Sequence, residues 1–334
     1  MSKRFSNNPK KTKSMKLRKI SPNFTPLHQG LFFGIESETE EPTDIVVEII
    51  DATSDEVIAV QQLRSVISAE INIAPYLEQF AEYTPSRGST RFEDAPIRAC
   101  AIRVGEEQSE TLLVSINKSL YSEPAVITTM PQHRHIELEE TDELLLLVEA
   151  DDRLVATIET DIGDNLTIAY TTATGAVILT ISANDFDSDL HSLDVKIWRN
   201  GDHFASLHYT KRTRHKRECR LAWISMEGSI ERYTFPIVAK RELKSDKLHI
   251  GSGNDRRVVR SSLESRLSLI SQYEPCATIE AIAQTIASPR VWIEQTESSH
   301  EAIILTSSVD YDLFGKPTCI ALEILEKSRE EVTL

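Results

Sequence analysis

LDVKIWRNGDHFASLHYT, Leu193 to Thr210, decides the fold class. Two runs, Leu193–Arg199 and Phe204–Thr210, flank Asn200-Gly201, the dipeptide best suited to a type I′ turn because both central residues need positive φ. An antiparallel hairpin is predicted there. Upstream, Leu144–Glu149, Leu154–Glu159, Leu166–Thr171 and Ala176–Ser182 read as short strands parted by Asp-Asp, Gly-Asp-Asn and Thr-Gly turns. Short strands recurring every 8–12 residues or so favour a β-sandwich.

The same rhythm runs through the preceding stretch. Asp44–Ile50 (DIVVEII) and Glu56–Leu63 are β-branched-rich runs around Asp51-Ala-Thr-Ser-Asp55, a polar turn of hairpin length. Ser68–Ile73 alternates Ala69, Ile71 and Ile73 with Ser68, Glu70 and Asn72, presenting one apolar face. A short helical turn is expected over Pro75–Phe80, then a loop through Thr84–Pro96 and strands at Ile97–Val104 and Thr111–Ile116.

Downstream, Arg220–Ser225 and Arg232–Val238 pair around Met226-Glu-Gly-Ser229, and Leu263 to Tyr273 is largely extended. Thr278 can cap a helix whose Ile279, Ile282, Ala283 and Ile286 recur at helical spacing, and Pro289 stops it. Val291–Glu294, Ala302–Thr306 and Thr318–Leu325 add three strands. The chain therefore reads as mainly β: two β-sandwich-like domains followed by a C-terminal α+β domain with one amphipathic helix. The expected boundaries are a basic N-terminal arm at 1–28, sandwiches at 29–120 and 121–215, and the α+β domain at 216–334.

Composition narrows the function. The chain has 334 residues, enough for two or three cores. Its longest aliphatic run, Leu144–Val148, is far too short for a helix that spans a bilayer. Glycine occurs 11 times, about half the usual share, and neither GxxxxGK[ST] nor GxGxxG occurs, which disfavours phosphate-cradling nucleotide folds. The net charge is −15, yet eight of the first twenty residues are Lys or Arg and none is acidic, so the body is more acidic still. Such a body repels a nucleic-acid backbone, and nucleic acid is an unlikely partner. The basic start lacks the apolar stretch of a signal peptide, because Ser21, Pro22 and Asn23 interrupt it, so synthesis in the cytosol is expected. The start reads as a basic arm, free or ordered against an acidic neighbour. Cys100, Cys219, Cys276 and Cys319 are scattered, with no CxxC, and read as free thiols.

Candidate constellations fall short of chemistry. Asp185-Phe-Asp-Ser-Asp189 has the acid spacing of a calcium loop but carries Leu190 where glycine is needed and Lys196 where the bidentate glutamate belongs. His133 and His135 would share a strand face, and His203 and His208 would lie on opposite faces; neither pair makes a metal site. No GxSxG elbow, SxxK set or flanked cysteine is present. No catalytic, cofactor or metal residue is assigned. A site assembled in space would instead show a pocket with several perturbed titratable groups. Lys211, Arg212, Arg214, Lys216 and Arg217, beside Arg220, form the one internal basic cluster, and without alternating aromatics it reads as a protein interface or a solvated hairpin.

Cys219–Pro236, CRLAWISMEGSIERYTFP, resembles a pattern of tail structural proteins from phages and prophages of Bacteroidetes hosts: Trp223 on a strand, Gly228 in the turn, then Tyr233 and Phe235 on the return strand. Ala287-Ser-Pro-Arg-Val-Trp-Ile293 is similar to that family's step from helix through Ser-Pro to strand, Ile303–Asp310 with a final strand resembles its C-terminal end, and Ala69–Tyr76 resembles its early strand-to-turn segment. The chain departs from the pattern at Ser225, where the family favours Asn, and at Glu227, where it has a second glycine. The resemblance implies a non-enzymatic virion component of the tail or the tail-to-capsid region. It also implies a homo-oligomeric ring, other tail proteins as partners, no cofactor, and Trp223, Gly228, Tyr233 and Phe235 as structural anchors of a packed hairpin. The rival class is a carbohydrate- or receptor-binding β-sandwich protein, which would present an aromatic platform on one sheet.

Overall fold

The computed structural model describes residues 15–23, 30–39, 41–78, 85–95, 97–115, 123–250, 257–295, 298–311, 316–326 and 332–333. The chain divides into two compact units: Met1–Tyr83 with Pro96–Leu120, and Thr84–Ala95 with Tyr121–Leu334.

In the first unit, β1 (Met15–Lys19), β2 (Phe32–Ser37), β3 (Thr43–Asp51), β4 (Glu56–Val66), β5 (Ser68–Asn72) and helical turn α1 (Ala74–Glu78) come first. After the excursion of β6 (Arg91–Asp94) into the other unit, β7 (Ile97–Val104), β8 (Glu107–Gln108) and β9 (Leu112–Ser115) follow. One sheet runs β1-β2-β5 and the other β4-β3-β7-β8, with β9 also on β7. Period-2 alternation puts Ile45, Val47 and Ile49 of β3 inward while Val46 stays exposed. They share one core with Phe33, Ile35 and Ile71 of the facing sheet.

The second unit adds β10 (Ala125–Ile127), β11 (His133–Ile136), β12 (Thr141–Leu147), β13 (Arg153–Thr160), β14 (Asn165–Thr171), β15 (Ala176–Ser182), β16 (Ser192–Arg199) and β17 (Asp202–Lys211). These form the sheets β10-β12-β15-β6 and β11-β17-β16-β13-β14. Leu144, Leu146, Val177 and Leu179 of the first sheet meet Leu154, Ile158, Val195 and Ile197 of the second in one core. Asn200 and Gly201 join β16 to β17 with φ of 52° and 96°, the conformation expected of that dipeptide.

The last sheet contains β18 (Cys219–Ile224), β19 (Ile230–Phe235), β20 (Ile237–Ile250), β21 (Arg257–Ile270), β22 (Val291–Glu294), β23 (Ser299–Ile304), β24 (Ala321–Glu326) and β25 (Val332–Thr333), with helix α2 (Cys276–Ala283). Its order is β19-β18-β22-β23-β24-β21-β20, and β25 pairs with β21. Ile279 and Ile282 of α2 pack on Trp223, Phe235, Leu269 and Leu322. The fold is therefore mainly β, two sandwich-like pairs of sheets followed by a sheet with one amphipathic helix, as expected.

Three expectations need correction. Within the segment read as an arm, Met15–Lys19 is a strand paired with β2, and Met15 is buried; residues 1–14 lie outside the described residues. The segment read as a loop through Thr84–Pro96 contains β6, which pairs with β15 because Phe92 reaches the second core. Helix α2 starts two residues before Thr278, with Pro275 as its N-cap and no side-chain cap.

Candidate functional site

The hairpin β18–β19 has two unlike faces, set by strand alternation. Leu221, Trp223, Tyr233 and Phe235 point into the apolar core beneath α2. Trp223 and Phe235 are fully buried, and the Tyr233 and Phe235 rings meet edge to face at 5.0 Å. Tyr233 donates its hydroxyl to Glu274 at 2.9 Å; burial raises its pKa, reinforced by that carboxylate. Gly228 turns the hairpin at φ 90°. The four residues singled out in the sequence thus lie together.

The opposite face was not foreseen. It carries Arg220, Arg232 and Thr234, and together with Arg134, Arg212 and the acids of β12 it makes a buried ion network. Arg232 bonds Glu143 at 3.1 Å and Glu294 at 3.1 Å. Arg220 bonds Glu140 and Glu294, both at 3.1 Å. Arg212 reaches Glu140 at 2.9 Å and Glu218 at 2.7 Å, and Arg134 reaches Asp142 at 2.7 Å. Tyr209 also donates to Asp142, at 2.9 Å. Below Arg134, Glu231 accepts from Ser229, Thr128 and the Thr129 amide.

Electrostatics in this network hold every shifted group in its charged or resting form. Burial alone would raise the Asp142 carboxyl, but the guanidiniums of Arg134, Arg232 and Arg220 outweigh it and hold it below its ordinary value. Glu140 is likewise held low against burial by Arg220 and Arg212. Burial opposes the charge on Arg134 and Arg232, yet Asp142 and Glu294 respectively lead the carboxylates that push these pKa values up.

Beside the network opens a cleft of about 560 Å³. Glu137, Glu139, Glu140, Asp185, Glu218 and Glu294 line it against Arg87, Arg214 and Arg220, so carboxylates prevail. Glu137 is 8% exposed. Its Oε1 accepts from the Leu138 amide at 3.1 Å, while Oε2 meets no donor among the described residues. Such a cleft suits a cationic group.

The basic cluster does not act as one surface. Arg212 is buried in the network, Arg214 pairs at the cleft rim with Glu139 at 3.1 Å, and Lys211 donates to the Ser188 carbonyl. Lys216 and Arg217 are exposed. A bulge in the β16–β17 register places His203 opposite Trp198 and His208 opposite Asp194. The two histidines therefore share a face, contrary to expectation. His133 and His208 rings lie 4.9 Å apart, but no group of three potential ligands fit to hold a metal occurs among the described residues. Asp185 accepts from the Thr90 amide, so the acidic Asp185–Asp189 stretch ties down a loop. No described helix is long and apolar enough to cross a membrane.

The network left little trace in the sequence. Arg220, Arg232 and Glu294 alternate with apolar residues, a pattern that a solvated strand face shows equally well. Clustered acids over Glu137–Glu143 were the available signal.

No protein-family model matches the chain, and no curated protein matches it. Among solved structures it is similar to a tetra-tandem repeat from the extending region of a large adhesion protein (11% identity, 76% of this chain and 69% of that one, TM-score 0.20). It is also similar to the FN1–FN3 domains of chicken CNTN1 (6% identity, 85% and 93%, TM-score 0.20) and to an I-band fragment of titin (8% identity, 95% and 88%, TM-score 0.19). Superpositions at these scores do not identify a shared function.

Proposed function

We propose that this chain is a non-enzymatic structural protein that assembles with copies of itself and with neighbouring proteins. The tail of a phage particle is the assembly to which the residues around Trp223 and Tyr233 point by resemblance, with synthesis in the host cytosol. The observation that carries the assembly reading is the hairpin β20–β21. Its strands are 14 residues each, but among the described residues β21 pairs with β24 over Ser265–Ile270 and with β25 at Arg260 and Ser261. Among the described residues, strand β20 is an edge along its whole length. Leu243 (61% exposed) and Leu263 (49%) lie on the face that continues from buried Leu267 and Leu269. An open edge beside uncovered leucines suits strand pairing with a partner, and Lys240, Lys244 and Lys247 disfavour indiscriminate pairing and select an acidic one.

The directions of the pKa shifts support the non-enzymatic part. Acid–base catalysts are tuned toward neutrality, whereas Asp142 and Glu140 are moved down and Arg134, Arg232 and Tyr233 up. For the carbohydrate-binding rival, Tyr273 is the one aromatic among the large exposed apolar side chains of the described residues, which is too little for a stacking platform.

The test is the solution mass of the full chain by light scattering across concentration, beside the double variant Leu243→Lys, Leu263→Lys. A concentration-dependent oligomer that the double variant weakens is expected. A monomer at every concentration for the unaltered chain overturns self-assembly.

A further inference from the structure

Carboxylates outnumber guanidiniums along the cleft. Glu137 is more than nine-tenths buried and lines the cleft, and its Oε2 has no donor among the described residues. An ionised carboxylate oxygen buried without a partner is costly, and neighbouring like charges increase the cost. Of the guanidiniums that line the cleft, Arg214 and Arg220 hold Glu139 and Glu294, and Arg87 donates to the Gln295 carbonyl. A cationic group from outside would answer the Glu137 oxygen that these three leave without a donor.

The cleft volume, about 560 Å³, lies in the range of roughly 300–1,000 Å³ that accommodates a ligand-sized group, and it far exceeds what one bare ion fills. Residues 1–14 carry Lys3, Arg4, Lys10, Lys11 and Lys13 and no acid, and unlike Lys211–Arg217 they lie outside the unit that holds the cleft. These residues precede β1 and lie outside the described residues. We propose that the cleft receives lysine or arginine side chains from residues 1–14 of a second copy of this chain, with Glu137 as the carboxylate that takes the incoming charge. This rests on the assembly reading and names the contact for it. A segment of one copy in a cleft of the next is a heterologous contact, which closes into a ring where the rotation permits and otherwise propagates.

The experiment uses the full chain and the peptide of residues 1–14. The peptide is titrated calorimetrically into a full-length variant in which Lys3, Arg4, Lys10, Lys11 and Lys13 are replaced by glutamine. Binding that weakens about tenfold or more in Glu137→Gln, and that falls as salt rises, is expected. Because Glu137 is buried, Glu139→Lys at the exposed rim is the second variant, and it too should weaken binding. Peptide binding unchanged in both variants, or no binding at all, overturns the proposal. In parallel, the glutamine variant should lose oligomers that the unaltered chain forms. Oligomers that persist in it, and that only Leu243→Lys, Leu263→Lys disrupts, overturn this contact while leaving the assembly reading standing.

Discussion

Arg232 and Glu294 stand on strands that do not neighbour one another, β19 and β22, yet Arg232 Nε lies 3.1 Å from Glu294 Oε1 across β18. The residue of β18 that pairs with Arg232 is Ala222, whose small side chain leaves the path open. The same carboxylate also takes Arg220, so one acid compensates two guanidiniums in a buried place.

Removing that acid should be severe. Glu294→Ala leaves Arg220 and Arg232 short of counter-charge, and breaking a buried pair from one side costs about 3–5 kcal/mol. Urea unfolding should show the midpoint falling with an unchanged slope. Glu242→Ala, in an exposed pair with Lys240, should leave the midpoint nearly unchanged.

Acid should unfold the chain through this network. Asp142 and Glu140 have folded-state pKa values below their ordinary values of about 3.9 and 4.3. Their contribution is fully present above those ordinary values and is lost as the pH falls through the lowered ones. Stability to urea should therefore be flat from about pH 7 to 5 with respect to these groups and drop below about pH 4. In Arg134→Met the Asp142 share of that drop should shrink, because the first of the three charges that depress its pKa is gone.

The thiols should separate into two classes. Burial first, with nearby Asp51 and Glu326 respectively, pushes Cys100 and Cys219 up to about 12. Cys276 and Cys319 are partly exposed. At pH 8 a thiol reagent should modify Cys276 and Cys319 well before the other two, as peptide mapping would report. Early modification of Cys100 or Cys219 would contradict the packing described.

Two glycines should differ in tolerance. A Cβ at Gly201 meets nothing within 4 Å, so Gly201→Ala bears only the left-handed backbone, roughly 1–2 kcal/mol. A Cβ at Gly175 would stand 2.7 Å from the Val148 carbonyl oxygen in addition to a φ of 83°. Thermal unfolding should rank Gly175→Ala below Gly201→Ala.

Local chemistry made much of the fold legible. Asn200-Gly201 announces its hairpin because few other residues accept both positive φ values, and the inward alternation of Ile45, Val47 and Ile49 follows from the strand period alone. The aromatic face of β18–β19 was readable for the same reason, since Trp223, Tyr233 and Phe235 have few places to go but a core. Strand β6 escaped because Arg91-Phe-Glu-Asp94 is short and mostly polar, and its partner β15 lies over eighty residues further along the chain. The shared face of His203 and His208 escaped because one bulge reverses the alternation.

The sequence by itself determined most of the strands, their turns and the class of the fold, because those depend on φ preferences and on a period of two. Only the tertiary structure decided that Arg134, Arg212 and Arg232 are buried and Arg220 is half-buried, which carboxylates answer each of them, and that one oxygen of Glu137, Oε2, has no donor among the described residues. A charged residue on a strand looks the same in sequence whether water or another sheet covers it. What settles the matter is which strands the distant parts of the chain bring together, and that is a property of long-range packing.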